Sequence, residues 1–313
     1  MATLHRATNA GEGVNENGSA SKINLACGIV VLLFAALIVT GLVGSGRNGQ
    51  PQTNGDGGAV DSSTLQGKVV PAEGVELPVR WGSLGIEMVE SGVLDPDKLE
   101  PLYSNRGGFT EEERAFLLGD ENGTIRITSE NSGFLLNMLW ALGLGNENRI
   151  LEEGPMQDER YGGAQGFAST GGWTLSTGSA MDHYSAHSFI SLSPAEQEMV
   201  ERVAGNIYRS CCGNSTYFPD CNHGMAMLGL LELMASQGVG EDQMYEVALR
   251  VNSYWFPDTY ITLARYFEER SVPWEEVVPK DILGPAYSSA SGYRAIRVEV
   301  EPAQSGGGGS CGV

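Results

Sequence analysis

Residues 23–44 carry no charged side chain and are dominated by Val, Leu, Ile and Ala, with Asn24 and Thr40 as polar exceptions near the ends. At about 1.5 Å of rise per residue, a helix of this length spans the roughly 30 Å hydrocarbon core of a bilayer. A buried helix of a soluble domain normally keeps a polar face, and this run has none. It is longer than the apolar core of a cleaved signal peptide, and no small-x-small site follows it cleanly. Cys27 precedes the apolar core rather than following it, which does not fit a lipoprotein signal. The sequence therefore predicts an uncleaved single-pass anchor, in contact with a lipid bilayer through residues 23–44.

Charge sets the expected orientation. The chain holds 19 Lys and Arg against 39 Asp and Glu, a net charge of −20. Arg6 and Lys22 before the anchor are balanced by Glu12 and Glu16, so the whole imbalance falls after it. Basic residues favour the cytoplasmic flank, and Lys22 abuts the anchor there, with Arg47 on the other side. The expected localisation is a short inner N-terminus and a large extracytoplasmic domain. Phosphate backbones and anionic headgroups repel a domain this acidic, which argues against nucleic acid as a partner.

Composition divides the rest. Residues 1–22 and 45–67 are rich in Gly, Asn, Ser and Gln and have too little apolar content to bury, so they read as a disordered N-terminus and a flexible stalk. Residues 305–313 form a Gly-rich tail that carries Cys311. The expected fold between them is mostly α: a helical and loop-rich region over 68–190, a helical bundle over 191–275 and an extended segment over 276–304. Thr110 and Glu113 make a capping box, as do Ser193 and Glu196 with Pro194 at the first helical position. An almost wholly apolar helix is expected from about residue 131 through Leu142, and a long ordered loop or short strands over 154–180, where Gly and Ser surround Tyr161, Phe167 and Trp173. Asp120–Thr124 reads as an ordinary turn. In the bundle, Met199, Val200, Val203, Ala204, Ile207 and Tyr208 share one helical face ending at Arg209–Ser210. A loop from Cys211 to Asn222 leads to a Met- and Leu-rich helix closed by Gly238. A third helix runs from about Glu241 to Tyr254. Pro257 ends it, and Asp258 caps a fourth.

Three of the five cysteines and three of the four histidines lie between residues 183 and 223. They are Cys211, Cys212, Cys221, His223, His183 and His187, a clustering that points to chemistry at a site. One reading is a transition-metal site. Thiolate and imidazole suit zinc, or copper if the thioethers of Met181, Met225 and Met227 contribute, and His183 and His187 would share a face in a helical segment. A second is structural disulfide bonding outside the cytoplasm, in a non-catalytic interaction domain. A third is thiol–disulfide exchange, with Cys221 at a helix N-terminus as attacking thiolate and Cys211 or Cys212 as resolving thiol. Whether the chain is an enzyme stays open at this point.

The order of an amphipathic helix, Arg209, the Cys211–Cys212 pair, Asp220-x-Asn222, Ala226, Gly238 and an acidic helix start resembles the CcmH-type thiol oxidoreductases of cytochrome c maturation. The likeness covers about residues 196–255. It implies a membrane-tethered three-helix bundle with its cysteines in the first loop, acting on apocytochrome thiols. That family spaces its cysteines as Cys-x-x-Cys, where this chain has them adjacent.

Overall fold

Ser62–Val69 forms the first helix, α1, which begins within the stretch that composition marks as stalk and runs past its end. Leu65 and Val69, one turn apart, are both buried, and this pair ties the segment to the domain against a later helix. The computed structural model describes residues 62–172 and 174–300, all within one compact unit. The anchor at 23–44, the N-terminus at 1–22, Trp173 and the tail with Cys311 lie outside the described residues. Among the described residues no helix is long and apolar enough to cross a membrane.

A small antiparallel sheet follows, which helical patterning alone does not reveal. Strand β1, Val75–Gly82, turns Leu77, Val79 and Trp81 inward, and β2, Asn122–Ile127, turns Ile125 and Ile127 inward. This is the period-2 alternation of a half-buried sheet. The register shifts between Glu76 and Arg80, across Pro78, which has no N–H to give to the ladder. The expected turn at 120–124 thus runs directly into a strand, with Asn122 opposite Gly82. Between the strands lie α2 (Leu84–Glu90), α3 (Pro96–Leu99) and α4 (Glu111–Leu118). The Thr110–Glu113 capping box at the start of α4 forms as read from the sequence.

The centre of the domain is α5, Ser132–Gly145, which is buried almost all round. After it come α6 (Arg149–Glu153) and a run of 3-10 and π turns over 155–182. The run expected as a long loop or short strands is therefore a series of single helical turns. Next are α7 (Pro194–Asn206), α8 (Asn222–Ser236), α9 (Glu241–Trp255) and α10 (Pro257–Glu268), the expected bundle. The Ser193–Glu196 box starts α7, and Gly238 follows α8 at a φ of 78°. Two boundaries differ from expectation. Helix α7 stops at Asn206, so Tyr208 leaves the stripe and forms a bridge with Ser215. Pro257 opens α10 rather than only closing α9, and Asp258 sits in the first turn, where the helix dipole favours an acid, instead of at the cap.

The segment 276–304, expected to be extended, contains α11 (Pro279–Ile282), α12 (Pro285–Ser288) and α13 (Ala290–Val300). Gly292 explains how α13 fits. A Cβ there would collide with the carbonyl oxygens of Pro285 and Ala286, so its absence lets α13 lie directly on α12. Ile296 is then buried on the inner side.

Helix α8 is as buried as α5, and the two form the most extensive contact in the domain. Their backbones meet at glycines. A Cβ on Gly143 would strike the Met225 carbonyl, and one on Gly229 would strike that of Leu139. We expect Gly143→Ala to cost about 1–3 kcal/mol through forced separation of the helices, read by denaturant unfolding of the full chain. A loss below experimental error would mean the crossing is loose.

One ionisable group lies deep beside this crossing. Glu232 on α8 is fully buried, accepts a hydrogen bond from Asn148 Nδ2 and has no partner for Oε2. Burial raises its pKa well above the usual carboxylate range, with the amides of Asn148 and Asn146 opposing. The folded state therefore keeps a proton that the unfolded chain releases. The associated stability is complete below the unfolded pKa of about 4.5 and is lost progressively as pH rises towards the folded value. Glu232→Gln should remove that loss, so its stability advantage over the wild type should grow between pH 4.5 and pH 8. An advantage independent of pH would show that the acid is not held protonated.

Candidate functional site

The loop between α7 and α8 is held from three sides. Thr216 N–H donates to Ile207 O at 2.8 Å, and Tyr217 N–H to Ala204 O at 3.1 Å, folding the loop back on the end of α7. Buried Ser169 donates its hydroxyl to Pro219 O at 2.7 Å and its N–H to Asp220 O at 3.1 Å, while its own carbonyl accepts from Trp140 Nε1 of α5. On the third side, Ala290 N–H at the start of α13 donates to Cys212 O at 2.8 Å, and Thr259 of α10 bonds the Ser210 hydroxyl. A loop with little apolar content thus gets its fixed shape from its neighbours.

Beneath the loop lies Arg209, wholly buried. Its guanidinium donates to Thr216 Oγ1 at 3.2 Å and, from one nitrogen, to Cys212 Sγ and Asp220 Oδ1 at 3.3 Å each. Asp220 is held in turn by Asn214 Nδ2 at 2.8 Å. Helix α8 passes close over the guanidinium at Gly224, where a Cβ would come within 2.7 Å of Arg209 Cζ. Glycine in the first turn of α8 is therefore what lets the charge sit under the helix start.

Cys221 is the N-cap of α8, and His223 is in its first turn. The His223 ring packs on Phe256 at 4.4 Å between centroids and meets the edge of Trp255 at 5.7 Å, which fixes its orientation. Cys211 Sγ lies 3.8 Å from Cys221 Sγ. Ligand atoms of Cys211, Cys221 and His223 all lie within 4.8 Å of one another, and so do those of Cys212, Asp220 and Cys221. Cys221 is the pivot of both groups. The Arg209 guanidinium already donates to two members of the second, so a cation there would meet its charge directly.

The thiols divide the charge unequally. The pKa of Cys221 is held well below that of an ordinary thiol by hydrogen bonds from Cys211 and Cys212, then by the Arg209 charge and His223, with burial opposing. Cys211 is pushed up by the same contacts with Cys212 and Cys221 and by burial. Of the pair, Cys221 is therefore the more readily ionised and Cys211, the exposed residue, the less.

His183 and His187 do not join the cysteines in a ligand-sized group among the described residues. Their segment is a turn after a short 3-10 helix, so they share no helical face. His183 Nε2 lies 2.9 Å from Thr177 O, which can only accept, so it carries the proton. Nδ1 then accepts from His187 Nε2 at 3.0 Å, and both nitrogens of His183 are used. Burial, followed by the neighbouring His183, lowers the His187 pKa, with Glu147 opposing. Met225 and Met227 are core residues, and Met181 is packed against the core.

The sequence named the sulfur and imidazole groups but assigned no role to Arg209, Asp220, Ser169 or Gly224. The signal available was a basic residue two positions before a cysteine pair, and its burial was not visible there.

No protein-family model, curated protein or solved structure matches this chain.

The division of charge has a kinetic readout. In the full chain, alkylation of Cys221 should proceed at a pH below that of an ordinary thiol. Cys211→Ala and Arg209→Met should each move the profile to higher pH, with the larger shift from Cys211→Ala. Site-resolved mass spectrometry of iodoacetamide adducts measures it. A profile unmoved by either change would mean that Cys221 is not the thiolate.

Proposed function

We propose that this chain is a membrane-anchored protein whose extracytoplasmic helical domain binds a transition metal ion, zinc, through Cys211, Cys221 and His223. The observation that carries the reading is the mutual spacing of three ligand atoms of suitable type. Tetrahedral zinc with bonds of about 2.3 Å to sulfur sets its sulfur ligands about 3.8 Å apart, and Cys211 and Cys221 stand at 3.8 Å. The lowered pKa of Cys221 and the ring packing of His223 support it, giving a readily ionised sulfur and an imidazole held in one orientation. Copper is less well supported, since Met225 and Met227 are fully buried packing residues. The anchor reading rests on the uncharged run at 23–44 and the extracytoplasmic one on Lys22 beside it.

Full chain purified in detergent under reducing, anaerobic conditions should carry about one zinc per molecule by elemental analysis. Cys211→Ser, Cys221→Ser and His223→Ala should each lose most of it, while Cys212→Ser and His183→Ala retain it. Zinc at a hundredfold excess over Kd should add about 2.7 kcal/mol of stability to the wild type and none to Cys221→Ser. Occupancy should fall with pH as protons compete for the ligands. Absence of metal, or equal occupancy in all variants, would overturn the proposal.

A second reading is thiol–disulfide exchange, in line with the CcmH-type likeness over 196–255. It is favoured by the lowered pKa of Cys221 beside the exposed Cys211. It predicts a Cys211–Cys221 disulfide that a glutathione buffer titrates, whereas a bond resistant to that buffer would be structural.

A further inference from the structure

We infer that the Cys211–Cys221 pair is a redox switch on the zinc site: a small disulfide oxidises the two sulfurs to a single bond, and the metal ion leaves. This rests on the zinc reading above and adds a means of release. The two sulfurs stand 3.8 Å apart and supply two of the three proposed ligands. Cys221 is also the shared member of the second group, with Cys212 and Asp220. One bond from Cys221 to Cys211 therefore dismantles both groups. It leaves His223 alone in the first, and in the second two residues already engaged by Arg209. A lone imidazole does not retain zinc, whose protein sites use three or four ligands.

The fold selects this pair among the three loop cysteines. Cys211 and Cys212 are adjacent, and Cα atoms about 3.8 Å apart across a trans peptide fall short of the roughly 4.4–6.8 Å that a disulfide usually spans. Cys212 Sγ accepts from Arg209 Nη2 at 3.3 Å. A bond from Cys212 to Cys221 would draw that acceptor away from a wholly buried guanidinium whose Nε already lacks a partner. Cys211 is the exposed member of the three, open to a reagent from solvent.

The chemistry balances with a small disulfide, such as glutathione disulfide, as oxidant. On zinc both protein sulfurs are thiolates. The sequence reading made Cys221 the first nucleophile; on the metal, access decides instead. Exposed Cys211 attacks one glutathione sulfur, and the other glutathione leaves as a thiolate that takes a proton from solvent. Cys221 then attacks Cys211 Sγ, the protein disulfide forms, and the second glutathione leaves in the same way. The two protein sulfurs have lost two electrons, the oxidant has gained them, and zinc passes to solvent. The reverse also starts from outside. A thiolate that attacks exposed Cys211 expels Cys221 at the N-cap of the fifteen-residue α8, where the helix dipole stabilises the leaving sulfur.

Glutathione buffers of graded ratio, applied to the full chain in detergent at buffered free zinc, test the switch. Alkylation with peptide mapping assigns the disulfide, and elemental analysis counts the bound metal. Reduced chain should hold zinc, and chain with the Cys211–Cys221 disulfide should hold none. Bound zinc and the disulfide exclude each other. Free zinc at a hundredfold excess over Kd should therefore raise, about hundredfold, the ratio of glutathione disulfide to squared glutathione at half oxidation. Removing zinc should return the midpoint, and Cys212→Ser should shift as the wild type does. Four results overturn the switch and leave the zinc reading standing: a midpoint that bound zinc does not move, zinc retained on oxidised chain, a pair that stays reduced at every ratio, or a disulfide mapped to Cys212. Reduced chain that holds no zinc overturns the zinc reading itself.

Discussion

Helices α5 and α8 meet backbone to backbone at Gly143 and Gly229, and the remaining elements are arranged around that contact. Two helices apolar on every side cannot lie at a surface, so each must be covered by others. The sheet, α2, α7 and α9 supply that cover. Because α8 is fixed along its length by this crossing, its N-terminus is fixed too, and that is where Cys221 and His223 are carried. A site built on the end of a buried helix inherits the helix's rigidity, whereas the loop that brings Cys211 has to be pinned separately.

Arg209 converts that rigid end into a charged site. A wholly buried guanidinium is costly unless it is surrounded by acceptors. Here Thr216, Cys212 and Asp220 surround it, and Gly224 lets α8 close over it. The same charge that needs these partners lowers the pKa of Cys221 and already engages Cys212 and Asp220. One residue thus bears on both overlapping groups of candidate ligands.

Much of this architecture was legible in the sequence where local chemistry decides it. The Thr110–Glu113 and Ser193–Glu196 boxes, the apolar α5 and the Gly238 stop are short-range signals, and each forms as expected. The sheet was missed because Pro78 argues against a strand at β1 and because its partner begins 40 residues later, at Asn122 opposite Gly82. The helices after residue 276 were missed because α11 and α12 have four residues each and α13 depends on a close approach at Gly292. At the site, proximity of Cys211, Cys221 and His223 followed from their closeness in sequence. The exclusion of His183 and His187 did not, since it depends on a turn and on the carbonyl of Thr177. Burial of Arg209 needs α8 closed over it at Gly224 before it can be seen.

The exposure of Cys211 links the two readings of the site. In an oxidising compartment two thiols 3.8 Å apart would tend towards the disulfide, and a metal ion on them would oppose that. A fully enclosed site would suppress oxidation but would also prevent exchange of ligand. Leaving Cys211 at the surface and Cys221 inside keeps one sulfur available to incoming groups and retains the negative charge where Arg209 stabilises it. The two proposed activities would thus compete for the same pair of sulfurs.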